Sequence, residues 1–198
     1  HIYTGESDTI HQKFNVVILM VESLSRQYMS YYGGTSKTPF LDSLMQNSMV
    51  YTNGFANARE SVQGIPAILA SIPSLMDESF IFSRYSNNRI NSVGSLLKNE
   101  GYTSAFFHGA AIGTMGFHFF CKSAGFDLYF GKEDYPDVDE DFDGSWCIWD
   151  HKYLPYMGLK LSELPEPFVA SVLTLNSHHP FKIPEEYKDR FKSKGHPI

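Results

Sequence analysis

Apolar and polar residues alternate in blocks along the chain, and three of the apolar blocks have the length expected of buried strands. They are residues 15–21 (NVVILMV), 103–109 (TSAFFHG) and 167–175 (PFVASVLTL). Runs rich in β-branched and aromatic residues are typical of parallel strands inside a sheet. We predict that residues 15–21 form a central strand buried on both faces. A fourth, shorter strand is predicted over residues 127–130.

Helical periodicity fills the stretches between these strands. Residues 49–57 read instead as a strand or an extended segment that leads to Ser61. Strands that alternate with helices predict an α/β fold with a sheet covered on both sides. The predicted helices are 38–48, with Thr38 as cap and Pro39 in the first position; 62–72, stopped by Pro73; 91–102, ending at Gly101; 114–124; and 150–164, interrupted or kinked near Pro155.

Three polar side chains share one placement, at the carboxyl end of a predicted buried strand. They are Glu22, His108 and His178. Ligands of open α/β sheets bind in the crevice outside these strand ends. A carboxylate and two imidazoles that converge beside Ser61, at a helix start, predict a metal-assisted site for phosphate or sulfate esters.

Each of these residues also has an ordinary structural interpretation. Ser61 is either a helix N-cap or a nucleophile, and the two roles share one geometry because the cap position faces the positive helix end. Glu22 is either an exposed carboxylate or a ligand for a hard cation. His108 and His178 are either structural or able to hold phosphoryl oxygens. In an extended backbone, His179 points away from the site when His178 faces it.

Composition narrows the range of partners. The 198 residues are 42% hydrophobic, enough for a sizeable core, and the net charge is -6 without a basic cluster, which argues against nucleic acid. The longest apolar run, 16–21, is too short to span a bilayer. The chain begins at His1 without the features of a signal peptide, so we expect it to be an excised fragment.

Two further features of the composition leave alternatives open. Cys121 and Cys147 lie in unrelated sequence contexts, and they could pair or remain buried free thiols. The acidic stretch 133–143 lacks the spacing of a calcium-binding loop. We therefore expect it to be a solvated loop rather than a metal site.

Seven segments of the chain occur in a recognisable order. They are NVVILMVESLSRQYMSYYGG, TPFLDSLMQNSMVYTNGFAN, ESVQGIPAILASIPSL, FFHGAAIGTMGF, KSAGFDLYFGKEDYP, DFDGSWCIWD and TLNSHHPFKIPEEY. Together they resemble the lipoteichoic-acid-synthase-like branch of the sulfatase and alkaline-phosphatase superfamily, the phosphoglycerol transferases, from about residue 14 to the end of the chain. The resemblance implies an alkaline-phosphatase-like α/β/α sandwich with a mostly parallel central sheet. Residues 1–13 would be a leader or linker, and 14–198 the N-terminal part of a catalytic domain.

The same resemblance implies roles for individual residues. Glu22 matches an acidic metal ligand, Ser61 a nucleophile that also binds the metal, and His108 and His178 match histidines that contact the phosphoglycerol group. The metal would be divalent, with Mn²⁺ expected first and Zn²⁺, Mg²⁺ or Ca²⁺ as alternatives. The implied mechanism is ping-pong: Ser61 attacks phosphorus, and an acceptor hydroxyl then displaces the covalent intermediate.

Members of this family are usually anchored in the cytoplasmic membrane, with the catalytic domain outside it. We therefore expect an extracytoplasmic domain at the cell membrane, held there by a segment that precedes this chain. The expected substrate is a phosphodiester linked to a phospholipid or a glycan.

The family completes its metal site with a later Asp-His pair, and this chain ends before such a pair. We therefore expect the fragment to bind metal weakly or not at all by itself, and to be inactive. It is also expected to expose apolar surface or to dimerise, because the later part of the domain would supply edge strands.

Two alternatives to the phosphoglycerol-transferase reading remain. One is a sulfatase, although SVQGI at 61–65 lacks the Pro and Arg of the motif that is converted to formylglycine. The other is a degenerate binding or sensory domain. It is supported by departures from the family pattern at Glu60, Ile112, Met115 and His118.

Overall fold

The computed structural model describes residues 12–34 and 38–190, which form an α/β fold. Short 3-10 turns connect several of the regular elements. The strands and helices of this part of the chain are β1 (Val16–Met20), α1 (Pro39–Gln46), α2 (Ser61–Ala70), α3 (Val93–Lys98), β2 (Thr103–His108), α4 (Phe117–Ser123), β3 (Leu128–Phe130), α5 (Val138–Asp141), α6 (Asp150–Glu163) and β4 (Phe168–Leu173).

Within the described residues, the four strands form one sheet in the order β1-β4-β2-β3, and every pairing is parallel. The register aligns Leu173 with Met20 on one side and with His108 on the other. The carboxyl ends of β1, β4 and β2 are therefore level. Side chains that follow these strands emerge along one edge of the sheet, as the sequence pattern predicts.

Both faces of the sheet are covered over its two inner strands, β4 and β2, which confirms the prediction for this part of the sheet. Phe106 lies on one face with the buried side chains of α2 and α4, and Phe107 lies on the other face with those of α6. Because successive residues of a strand point to opposite faces, these neighbours serve two separate cores. Each buried phenylalanine contributes about 2–3 kcal/mol through apolar burial.

The prediction of a central, fully buried first strand is wrong for the described part of the chain. β1 lies at the edge of the sheet and pairs with β4 alone among the described strands. Val17 and Leu19 are 51% and 52% exposed. The apolar run indicates that a strand forms, but it does not indicate which other strands pair with it. The described structure thus carries an apolar, unpaired sheet edge.

The helices lie at the predicted positions, but α3 and α4 are shorter than the predicted 91–102 and 114–124. Two further differences concern α1 and α6. Pro39 is the first residue of α1, as predicted, but the Thr38 side chain donates to the Asp42 carboxylate at 3.2 Å instead of capping the helix backbone. α6 runs through Pro155 as one helix, so the predicted interruption is wrong. Gly101 follows α3 with a φ of +84°, the left-handed conformation typical of a helix C-terminus.

Three other predictions concern local features. Both cysteines are buried free thiols, which resolves that alternative against a disulfide. The acidic stretch carries the short helix α5 and the end of a 3-10 helix at Lys132–Asp134, and is otherwise turns and irregular chain. In the described residues, the longest helices fall short of the length and apolar character that a membrane span needs. The predicted leader, residues 1–13, lies almost entirely outside the described residues.

Candidate active site at the carboxyl edge of the sheet

Ser61 is the first residue of α2 and not its N-cap. Glu60 occupies the cap position in extended conformation, and neither side chain caps the helix backbone. The capping interpretation of Ser61 is therefore wrong. The hydroxyl is left free for another partner while it stays within the first turn, where the helix dipole favours negative charge.

That partner is Glu22. The Ser61 Oγ donates a hydrogen bond of 2.7 Å to Glu22 Oε2. The other carboxylate oxygen, Oε1, accepts a bond of 3.2 Å from the hydroxyl of Ser23, whose φ is +54°. Residues with a positive φ are uncommon outside glycine, and they concentrate at turns and functional sites. The sharp turn after β1 thus places Glu22 against the start of α2.

Thr174 fixes the position of Glu22 from the neighbouring strand. The Glu22 backbone N–H donates to Thr174 Oγ1, and the Thr174 N–H donates to the Met20 carbonyl, each at 3.0 Å. This reciprocal pair extends the β1–β4 ladder by one step beyond the last paired residues. Sequence reasoning did not single out Thr174, although a polar residue that ends an apolar strand is a usable signal.

Glu22 and Ser61 together offer a carboxylate and a hydroxyl oxygen at one point. Oxygen donors of this kind suit hard divalent cations. Among residues 12–34 and 38–190, no group of three or more His, Cys, Asp or Glu side chains is arranged to hold a metal ion. The described residues therefore fit a cation through two oxygen ligands and do not enclose it.

His108 is the last residue of β2 and is completely buried. Burial lowers the pKa of His108 to about 4, so the ring is neutral near pH 7. Phe117 packs edge-on against the imidazole with ring centroids 5.1 Å apart. Tyr153 accepts the His108 backbone N–H at 3.2 Å and donates to the Phe130 carbonyl at 2.7 Å.

The two ring nitrogens of His108 differ in their surroundings. Nδ1 lies 3.4 Å from the hydroxyl of Tyr129, whose pKa is raised by burial, so that this phenol keeps its proton. Nε2 is buried and has no hydrogen-bond partner among the described residues. An unpaired buried polar atom costs about 1–3 kcal/mol, so this nitrogen is a candidate contact for a bound ligand.

His178 lies five residues beyond the end of β4, in a turn that its own N–H closes on the Leu175 carbonyl at 2.9 Å. The side chain is half-buried, whereas His179 is exposed. The indole ring of Trp146 lies edge-on to the His178 imidazole with centroids 5.5 Å apart. Trp146 is therefore a direct neighbour of a predicted site residue.

Hydrogen bonds from residues 143–150 link the segment after His108 to the turn that contains His178. The Ile148 N–H donates to the Gly109 carbonyl at 2.9 Å, directly after His108. Asp150 is the first residue of α6, and its carboxylate accepts hydrogen bonds from the backbone N–H groups of Leu175 and Asn176 at 2.8–3.1 Å. The sequence does not indicate this role of Asp150, because the contact joins residues 25 and 26 positions apart.

The structure thus brings Glu22 and Ser61 into contact and places both histidines at the same edge of the sheet. Within the described part of the chain, neither histidine forms a hydrogen bond with Glu22 or Ser61. The arrangement consists of a hydroxyl paired with a carboxylate at a helix start, with one imidazole at the end of β2 and another in the turn after β4. Such a set can bind an anionic ester and activate a hydroxyl nucleophile.

Comparison with known families and proteins places these features in context. The sulfatase family model matches residues 14–198. Phosphoglycerol transferase I of Escherichia coli SMS-3-5 is 30% identical over 196 residues, which cover 90% of this chain and 25% of that protein. Lipoteichoic acid synthase 2 of Bacillus subtilis is 29% identical over 175 residues, which cover 86% of this chain and 27% of that protein.

Solved structures show the same fold. An alkaline phosphatase superfamily protein from Vibrio parahaemolyticus matches with a TM-score of 0.83 and 29% identity, over 94% of this chain and 46% of that one. A lipoteichoic acid synthase from Listeria monocytogenes matches with a TM-score of 0.73 and 24% identity, over 89% and 44%. The periplasmic domain of EptC from Escherichia coli, solved with Zn, matches with 17% identity and a TM-score of 0.66, over 93% and 50%. This chain spans about a quarter of the length of the curated relatives it matches.

Proposed function

The chain belongs to the sulfatase family, and from that premise we propose that it is the N-terminal part of the catalytic domain of a phosphoglycerol transferase or phosphodiesterase, with Ser61 as nucleophile. The observation that carries the proposal is the 2.7 Å hydrogen bond from Ser61 to Glu22 at the first residue of α2. The curated relatives include enzymes named for phosphoglycerol transfer and lipoteichoic acid synthesis, which supports a phosphodiester substrate.

Glu22 and the helix start give Ser61 the two properties that a nucleophile needs. Because the hydroxyl hydrogen is directed at the carboxylate, the oxygen lone pairs are available to an incoming phosphorus atom, and the carboxylate favours loss of the proton. The positive end of α2 stabilises negative charge on an ester that approaches the first turn. A phosphorus–oxygen bond to Ser61 Oγ would then form as the bond to the leaving alcohol breaks.

Glu22 and Ser61 are also the residues that would hold a divalent cation, Mn²⁺ first and Zn²⁺, Mg²⁺ or Ca²⁺ as alternatives. When bound, the cation would supply Lewis acidity that lowers the pKa of the serine hydroxyl and offsets charge on the phosphoryl group. Two oxygen ligands leave the coordination incomplete, since tetrahedral or octahedral sites take four to six donors. Further ligands would come from outside the described residues.

The two histidines would contact the phosphoglycerol group in different ways. His108 presents a neutral, buried ring whose Nε2 has no partner in the described residues, so it can bind a ligand atom without first breaking another bond. His178 is half-buried and therefore reachable from solvent. The proposed substrate is a phosphodiester carried by a phospholipid or glycan, and the proposed location is the outer side of the cytoplasmic membrane.

The proposal is tested in a polypeptide that extends this chain to the length of a complete catalytic domain. With Mn²⁺ present, Ser61→Ala is expected to abolish phosphodiester turnover, whereas Ser61→Thr keeps a hydroxyl and retains part of it. Ser43→Ala, on the exposed surface of α1, is the matched control and should leave turnover unchanged. Phosphodiester turnover that survives Ser61→Ala refutes the nucleophile, and turnover of an aryl sulfate instead would identify a sulfatase. No turnover of either ester would favour a degenerate binding domain.

A further inference from the structure

We propose that His178 is held in the tautomer that carries its proton on Nδ1, that its Nε2 is therefore a hydrogen-bond acceptor for a substrate hydroxyl, and that Trp146 is the residue that maintains this state. The inference rests on the proposed function for the identity of the substrate. The tautomer itself follows from contacts within the chain.

The first contact fixes the proton. His178 Nδ1 lies 2.8 Å from the backbone carbonyl oxygen of His179. A carbonyl oxygen can only accept a hydrogen bond, so Nδ1 must carry the hydrogen. In a neutral imidazole the other nitrogen then has a lone pair and no hydrogen, which makes Nε2 an acceptor. Free histidine prefers the opposite tautomer, so the protein must supply the energy that reverses this preference.

The second contact fixes the carbonyl. Trp146 Nε1 donates a hydrogen bond of 3.1 Å to the same His179 oxygen. The indole ring also lies edge-on against the imidazole at 67°. Trp146 thus orients the His179 carbonyl, which is the acceptor, and packs against one side of the His178 ring, which is the donor.

Both partners are held by further hydrogen bonds to neighbouring segments. The backbone N–H of Trp146 donates to Asp143 Oδ1 at 2.7 Å, and the Lys182 ammonium donates to the Asp143 carbonyl at 3.0 Å. The turn that contains His178 is tied to the start of α6 through the Asp150 carboxylate. The geometry of the Trp146, His178 and His179 group is therefore set before any ligand binds.

His108 provides a contrast within the same site. Its Nδ1 faces the hydroxyl of Tyr129, which can donate as well as accept, so this contact is compatible with either tautomer. The two histidines therefore differ in the ligand groups that they can bind. A neutral His178 cannot donate to a phosphoryl oxygen from Nε2, and it favours ligands that bring their own hydroxyl hydrogen, such as glycerol or an acceptor alcohol.

The test is long-range ¹H–¹⁵N correlation spectroscopy of the histidine rings in the 198-residue chain, at about pH 8.5, where a free imidazole is neutral. In the wild type, the main His178 signal should show the proton on Nδ1. Trp146→Phe keeps an aromatic ring and removes the indole N–H, and should shift most of the population to the Nε2–H tautomer. Trp149→Phe, at the neighbouring tryptophan, should leave the His178 signal unchanged.

A wild-type spectrum with the proton on Nε2 overturns the proposal, whatever the variants do. So does a Trp146→Phe spectrum, from a protein with wild-type circular dichroism, in which the Nδ1–H signal is undiminished. Titration with glycerol should perturb the Nε2 resonance of His178, and inorganic phosphate should not; a larger response to phosphate contradicts the assignment of a hydroxyl ligand. Because these measurements need no turnover, their failure is distinguishable from failure of the proposed enzymatic function.

Discussion

The burial of His108 makes a quantitative prediction about stability and pH. The pKa of His108 is lowered from 6.5 to about 4 because the buried ring loses the hydration that stabilises its charged form. An unfolded chain therefore takes up a proton as the pH falls below about 6.5, whereas the folded protein does so only near pH 4. Proton uptake on unfolding means that stability falls as the pH falls through this window.

The magnitude follows from the two pKa values. A difference of about 2.5 units corresponds to about 3 kcal/mol in total. Linkage predicts that about 2 kcal/mol of this free energy of unfolding is lost between pH 7.5 and pH 5, and that the remainder is lost closer to pH 4. The perturbation is His108→Gln, which cannot titrate, so the difference between wild type and variant cancels the contributions of other ionisable groups.

The assay is urea unfolding followed by tryptophan fluorescence at several pH values. The free energy of unfolding of the wild type should fall by about 2 kcal/mol more than that of His108→Gln between pH 7.5 and pH 5. If the free energies of unfolding of the two proteins instead change by the same amount over this pH range, then His108 titrates near its ordinary pKa. The reasoning from its burial would then be wrong.

Three further predictions concern packing in the two cores. Tyr153→Phe removes the hydroxyl that donates to the Phe130 carbonyl at 2.7 Å, and should lower the free energy of unfolding by about 1–3 kcal/mol in urea titrations. Gly94→Ala places a Cβ 2.9 Å from the ring of Phe126 and should cost about 1–3 kcal/mol, measured as a lower thermal midpoint. Burial raises the pKa of Cys121, and both thiols are buried, so a thiol reagent should react with them only after denaturant is added.

Each of these predictions has a result that contradicts it. A thermal midpoint of Gly94→Ala equal to that of the wild type would show that the Phe126 ring moves aside freely. Wild-type stability of Tyr153→Phe would mean that water replaces the hydroxyl. Rapid labelling of native protein by the thiol reagent would show that the cores open locally.

The sequence predicts the strands and most helices because their signals are local. The apolar runs around 15–21, 103–109 and 167–175 contain their own β-branched and aromatic residues, and the structure has a strand in each. The placement of Glu22 and His108 at strand ends follows from the same pattern. The position of β1 at the edge of the described sheet does not, because strand order depends on which strands pair and not on any one of them.

The same distinction between local signals and tertiary contacts applies to the roles of the site residues. The sequence by itself determined that a serine begins an apolar helix and that a carboxylate and two histidines lie at or after the ends of apolar strands. Only the tertiary structure decided that Ser61 bonds to Glu22, 39 residues away, and does not cap its own helix. It alone revealed that Trp146 and Asp150 hold the turn of His178. These contacts join residues distant in the chain, and their energies depend on packing that no local pattern encodes.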